Sequence, residues 1–98
     1  MLSQGTIIKV EGIKFPVLVI SKDFFNNSSK VIVCPIISPA SIGPLHIMLE
    51  AEQTHGVVIC EQLKMLDLKT RGYSIIESVS YDVLIDIVDA VQGIFDYI

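Results

Sequence analysis

The chain has 98 residues, with 7 Lys and Arg against 11 Asp and Glu, a formal net charge of −4 and a hydrophobic share of 51%. That length holds one core and excludes a two-domain protein, and the apolar share excludes a disordered tail, which would bury too little surface to offset chain entropy. A mean hydropathy of +0.61 is high for a lone small domain, so a self-associating apolar patch is expected.

The longest apolar runs, Phe15 to Ile20 and Val31 to Ile37, each contain a proline and fall far short of the roughly 18–20 residues that span a bilayer. The opening Met1-Leu2-Ser3-Gln4-Gly5 has no basic region followed by an apolar stretch, so no export signal is read there. Cys34 and Cys60 each sit inside an apolar run and read as buried thiols rather than as a disulfide or half of a metal site. A cytoplasmic protein without membrane association is expected.

In chain order, Gly5 to Glu11 alternates around Ile8 and Val10, and a Glu11-Gly12 turn leads to the strand Phe15–Ile20. Asn26-Asn27-Ser28-Ser29 is a polar break before the strand Lys30–Ile37. Ser38-Pro39-Ala40-Ser41-Ile42-Gly43-Pro44 is the longest loop signal. Leu45–Glu50, Val57–Leu63 and Tyr73–Val79 read as further strands, being rich in Val and Ile. The period then changes. Ser80 can cap a helix with Asp82 in its first turn, and Leu84, Ile87, Val88, Val91, Phe95 and Ile98 recur at helical spacing. Asp82, Asp86, Asp89, Gln92 and Asp96 fall on the other face. Five or six short strands closed by one amphipathic helix describe a mainly β protein, a small barrel with the helix packed against it.

Glycine-rich phosphate loops, HExxH, CxxC and GxSxG are all missing from the sequence. His46 and His55 read either as structural or surface imidazoles or as a general acid or base. Glu61 and Gln62 interrupt the apolar stretch Val57–Cys60, and a carboxylate buried there would need a partner. It serves either a structural hydrogen bond or a site. By composition Asp67-Leu68-Lys69-Thr70-Arg71-Gly72 is a solvated turn or a short helix closed by Gly72.

Together these segments resemble the MazF/PemK toxins. Pro16-Val17-Leu18-Val19-Ile20-Ser21-Lys22-Asp23-Phe24-Phe25-Asn26 is similar to that family's second strand and following segment, and Val33-Cys34-Pro35-Ile36-Ile37-Ser38 to its next strand. Gly56-Val57-Val58-Ile59-Cys60-Glu61-Gln62 and Leu66-Asp67-Leu68-Lys69-Thr70-Arg71-Gly72 resemble the PemK-like segment that ends in Arg-Gly, and the terminal helix sits where the family has one. The resemblance covers nearly all of residues 1–98, as a single toxin domain. It implies the SH3-like barrel shared by MazF, PemK and CcdB toxins, a homodimer, and a small antitoxin that folds on binding. It also implies cleavage of single-stranded RNA without a metal or other cofactor, the ribose 2′-hydroxyl attacking the adjacent phosphate. Where the family commonly has arginine before the second-strand proline stands Phe15, and the threonine of its Pro-x-Thr pattern falls at Ile37, beside Ser38. The basic residue two before the family's aspartate falls at Ile59, with Glu61 keeping the carboxylate. The loop between the first two strands is only Glu11-Gly12-Ile13-Lys14.

Three functions follow. An RNA-cleaving toxin would use Glu61 as base or orienting carboxylate, His46 as acid, Ser38 as hydroxyl donor, and Lys14, Lys64 and Arg71 as RNA contacts. A CcdB-type toxin would instead poison DNA gyrase by protein contact through Gly93-Ile94-Phe95-Asp96-Tyr97-Ile98. A catalytically inactive relative would act as a binding protein. The charge is uneven: all 7 Lys and Arg precede Tyr73, and 5 of the 11 acids follow it. The first 72 residues thus carry a net +1 and the rest −5, so the acidity does not by itself exclude RNA at the barrel, and +1 is not a strong phosphate-binding surface.

Overall fold

The computed structural model describes residues 2–38 and 40–96. Seven strands and two helices follow in the order β1 (Thr6–Val10), β2 (Val17–Val19), the single-turn α1 (Asp23–Asn26), β3 (Lys30–Ile37), β4 (His46–Glu50), β5 (His55–Ile59), β6 (Lys64–Asp67), β7 (Tyr73–Ser78) and α2 (Tyr81–Phe95). The strands pair antiparallel in the order β4-β5-β3-β2-β1-β7, and β6 pairs with the first half of β3. This is the mainly β barrel with a C-terminal helix that the strand spacing predicts.

Side chains alternate across a strand, and at β2 and β3 both faces of the sheet are covered. Leu18, Cys34 and Ile36 enter one core cluster with Ile7, Leu49, Val58 and Cys60. Their strand neighbours Val17, Val19, Val31 and Val33 enter a second, with Leu2, Ile8, Val10 and Leu66. Burial on both faces explains why β2 and β3 read as unbroken apolar runs rather than as alternating ones. Pairing of β1 with β7 shifts register between Ile7 and Ile8, a bulge that adds local twist.

Helix α2 lays Ile87 and Val91 into the first cluster, with Val83 and Ala90 beside them. Ser80 caps it, its hydroxyl accepting the Val83 N–H at 3.4 Å. Phe95 departs from the expected apolar face and is 69% exposed; Ile98 lies outside the described residues. Glu77 of β7 accepts the Gln53 backbone N–H at 2.9 Å and so ties the last strand to the β4–β5 turn. Partial burial raises its pKa, but hydrogen bonds from the Thr54 side chain and the backbone of Gln53, Glu52 and Thr54 leave the carboxyl below its ordinary range.

Two expectations are corrected. The strand expected over 57–63 ends at Ile59, and Cys60-Glu61 is a turn. Glu61 is therefore exposed rather than buried in a strand. Lys64–Asp67 forms β6, opposite Val33 to Lys30; only Leu66 of its four residues is buried, too little periodicity to mark a strand.

Candidate functional site

The β4–β5 hairpin brings together two residues that lie 15 apart in sequence, His46 and Glu61. His46 opens β4 opposite Ile59, and the Cys60 N–H donates to the Leu45 carbonyl at 2.8 Å. That ladder turns Glu61 back over the start of β4. His46 Nε2 lies 2.8 Å from Glu61 Oε2, and its Nδ1 lies 3.0 Å from the Ser41 carbonyl oxygen. Both ring nitrogens thus face acceptors, an arrangement that only the doubly protonated ring satisfies while Glu61 is ionised. Accordingly the Glu61 hydrogen bond, and then that to Ser41, raise the His46 pKa above its ordinary value. The same bond to His46 draws Glu61 below the ordinary carboxylate value. The side chains are 31% and 43% exposed, so substrate can reach both. Together with Gly43, Pro44 and Leu45 they line a depression of about 270 Å³.

Gln62 connects this pair to the next cleft. That cleft, of about 410 Å³, is lined by Gln62, Leu63 and Lys64 together with Ile13, Phe15, Val17, Val33 and Pro35. Ile13 in turn belongs to a broader cleft of about 700 Å³ that includes Lys9, Lys14, Gly72 and Tyr73. Lys9 Nζ donates to the carbonyls of Ile13 and Lys14 at 2.9 and 2.7 Å, fixing the β1–β2 turn. The positive φ of Gly12, 83°, makes that turn possible. The Glu11 N–H donates to the Gly72 carbonyl at 2.9 Å and so joins the turn to the β6–β7 loop that carries Arg71.

The residues read from the sequence therefore fall at several stations. His46 and Glu61 are in contact. Lys64 lies in the middle cleft and Lys14 in the broad one, with Arg71 exposed beside it. Ser38 ends beyond β3 as an exposed residue, and among the described residues it takes no part in the His46–Glu61 pair or in these clefts. The Ser41 carbonyl, which orients His46, is a backbone acceptor in a loop and leaves no sequence signal.

Pairing of β2 with β3 sets Val17 against Pro35, and the Ile36 N–H donates to the Pro16 carbonyl at 2.9 Å. Phe15 and Ile37, the residues just beyond this contact, are both apolar. Cys34 and Cys60 are buried free thiols; burial pushes them up to about 12 and about 11. They are core residues.

An antiparallel barrel of this topology with a C-terminal helix is the architecture of MazF toxins. The chain aligns with MazF in a MazE–MazF crystal structure from Deinococcus radiodurans with a TM-score of 0.87 and 23% identity, over 96% of this chain and 95% of that one. Free MazF from the same organism gives 0.85 and 22%, over 96% of each chain. An endoribonuclease in complex with its cognate antitoxin, from a mycobacterial species, gives 0.85 and 15%, over 97% and 95%. No curated protein matches the chain in sequence. Residues 8–95 match the family described as PemK-like, MazF-like toxin of type II toxin-antitoxin system. The chain belongs to that family.

Proposed function

We propose that the chain is the toxin of a type II toxin–antitoxin pair and cleaves single-stranded RNA, with His46 and Glu61 as its acid and base. The observation that carries this reading is the 2.8 Å contact between an imidazole and a carboxylate that are both open to solvent. Glu61 takes the proton of a ribose 2′-hydroxyl, whose oxygen attacks the adjacent phosphorus. The bond to the 5′-oxygen breaks, and the His46 imidazolium gives that leaving oxygen its proton. The products are a 2′,3′-cyclic phosphate and a 5′-hydroxyl. Passage of one proton from Glu61 to His46 across their hydrogen bond then restores the starting pair. Lys64, Lys14 and Arg71 supply positive charge along the incoming strand, in place of an arginine at position 15, and Ser38 remains a candidate hydroxyl donor at the end of β3.

A cytoplasmic homodimer bound by a small cognate antitoxin fits this reading. The support for self-association is the exposure of Ile75, Tyr81 and Phe95. Antitoxin capture is supported by the related toxins crystallised with theirs. No described helix is long and apolar enough to cross a membrane.

The decisive assay incubates purified protein with end-labelled single-stranded RNA in the presence of a chelator. Cleavage that disappears in Glu61→Gln and His46→Ala variants, both still folded, is expected. Intact RNA at high protein concentration overturns the reading. It would favour a second one, a non-cleaving binding protein, for which the apolar residues at positions 15 and 37 speak. The gyrase-poisoning alternative rests partly on Tyr97 and Ile98, which lie outside the described residues.

A further inference from the structure

The middle cleft has a composition that the cleavage chemistry does not use. Phe15 is half-buried there, packed on one side against the second core cluster together with Ile13. Pro16 follows it with a fixed φ, and the Pro16 carbonyl is bonded to the Ile36 N–H. The ring is therefore held by the scaffold rather than by a loose loop. In the same cleft the exposed Gln62 amide offers both a donor and an acceptor, and Lys64 adds an ammonium. Within one cleft of about 410 Å³ lie an aromatic wall, a bifunctional amide and a cation.

From this geometry we infer that the cleft between Phe15 and Gln62–Lys64 receives one unpaired nucleobase of the RNA, stacked on Phe15. The inference rests on the RNA reading of the neighbouring His46–Glu61 pair. Stacking on an aromatic face is available to any base, whereas the Gln62 amide can select among base edges. Lys64 would meet the phosphate of the same nucleotide as a point charge. Charge favours this occupant over an apolar peptide side chain: Lys64 lines the cleft, and the adjoining cleft that shares Ile13 adds Lys9 and Lys14 against one acid, Glu11. The acids of the chain's last 26 residues lie mainly on α2, whose buried face packs the other core cluster. Phe15 thus supplies a base platform in the cleft that Gln62 joins to Glu61, and Gln62 is the residue placed to read the base edge.

Binding of a labelled single-stranded RNA of about ten nucleotides, within the range one small barrel covers, tests this by fluorescence anisotropy. A Glu61→Gln background prevents turnover. Phe15→Ala and Phe15→Leu should each weaken binding roughly 5- to 100-fold, the range expected for one lost stack, while Phe15→Tyr stays near the parent. Lys64→Ala should weaken binding and lower the salt slope by about 1. Replacing nucleotides one at a time by abasic sites should reveal one position whose loss matters, and that penalty should vanish in Phe15→Leu. Parent-like binding by both Phe15→Ala and Phe15→Leu overturns the inference, as does an abasic penalty that survives in Phe15→Leu. The cleavage reading fails separately. RNA bound in this Phe15-dependent way but left intact by the natural chain overturns the cleavage reading alone. Cleavage with Phe15 dispensable overturns the base pocket alone, and a chain that neither binds nor cuts overturns both.

Discussion

His46 Nε2 meets Glu61 Oε2 at 2.8 Å while the other ring nitrogen meets a backbone carbonyl. The pair is therefore an imidazolium–carboxylate contact over a bounded pH range. The Glu61 hydrogen bond raises His46 above 6.5, and the reciprocal bond lowers Glu61 below 4.5. A group raised on folding contributes stability below its unfolded pKa and loses it as pH climbs through the folded value. A group lowered on folding does so above its unfolded pKa, and loses it as pH falls through the folded value. The pair is fully formed between those limits. RNA cleavage should follow a bell with its acid limb below 4.5 and its alkaline limb above 6.5. A rate profile whose alkaline limb falls at or below the ordinary histidine value contradicts the assignment.

Asn26 should be among the most sensitive polar positions. It is buried, and its amide donates to the Leu2 carbonyl at 2.7 Å and the Ser21 carbonyl at 3.0 Å. The Ser21 hydroxyl donates to its oxygen and accepts the Ile32 N–H at 2.9 Å. This network pins the segment before β1 to Ile32 of β3. Asn26→Ala removes both donors and leaves the two carbonyls without them, costing about 2–3 kcal/mol. Urea unfolding measures the loss. A change under about 0.5 kcal/mol, within ordinary surface scatter, would show that water replaces the amide.

The barrel and its helix were legible because their signals are repetitive. Ile87 and Val91 recur at helical spacing behind a Ser80 cap, and the apolar runs of β2 and β3 carry two buried faces. Strand β6 was not legible, since Lys64, Met65 and Asp67 are held there by the backbone of β3 rather than by burial of their side chains. Glu61 stands out in the sequence because a carboxylate inside an apolar strand is costly without a partner. In the folded chain that cost does not arise, as the strand stops at Ile59 and the carboxylate stands in the turn. The contact between His46 and Glu61 depends on the β4–β5 register, and composition does not encode it. The meeting of Phe15 with Gln62 and Lys64 in one cleft likewise emerges only once β2, β3 and β6 are aligned.

The Ser80 side chain supports α2 through one long hydrogen bond, 3.4 Å from the Val83 N–H. Ser80→Ala should therefore cost about 0.5–1 kcal/mol, the low end for a lost cap, while Ser80→Asp keeps the acceptor and costs little. For a domain of this size the alanine variant's Tm should fall by roughly 2–8 °C. An unchanged Tm would mean that the Leu84 N–H to Ser80 carbonyl bond, at 3.0 Å, holds the first turn unaided.

Cys34 and Cys60 offer a probe of the core that leaves the site alone. Both are fully buried, and burial pushes Cys34 from 9.0 up to about 12 and Cys60 up to about 11. At neutral pH that lowers the Cys34 thiolate fraction by about 10³ relative to an unperturbed thiol, and thiolate is the reactive form. An alkylating reagent should therefore modify neither thiol in the native protein and both once denaturant opens the barrel. The modification rate should rise with urea in step with global unfolding. Cys60 precedes Glu61 directly and its N–H holds the Leu45 carbonyl, so early labelling of Cys60 alone would reveal local opening of the turn that carries the carboxylate. Simultaneous labelling of both thiols shows that this turn opens only when the whole barrel does.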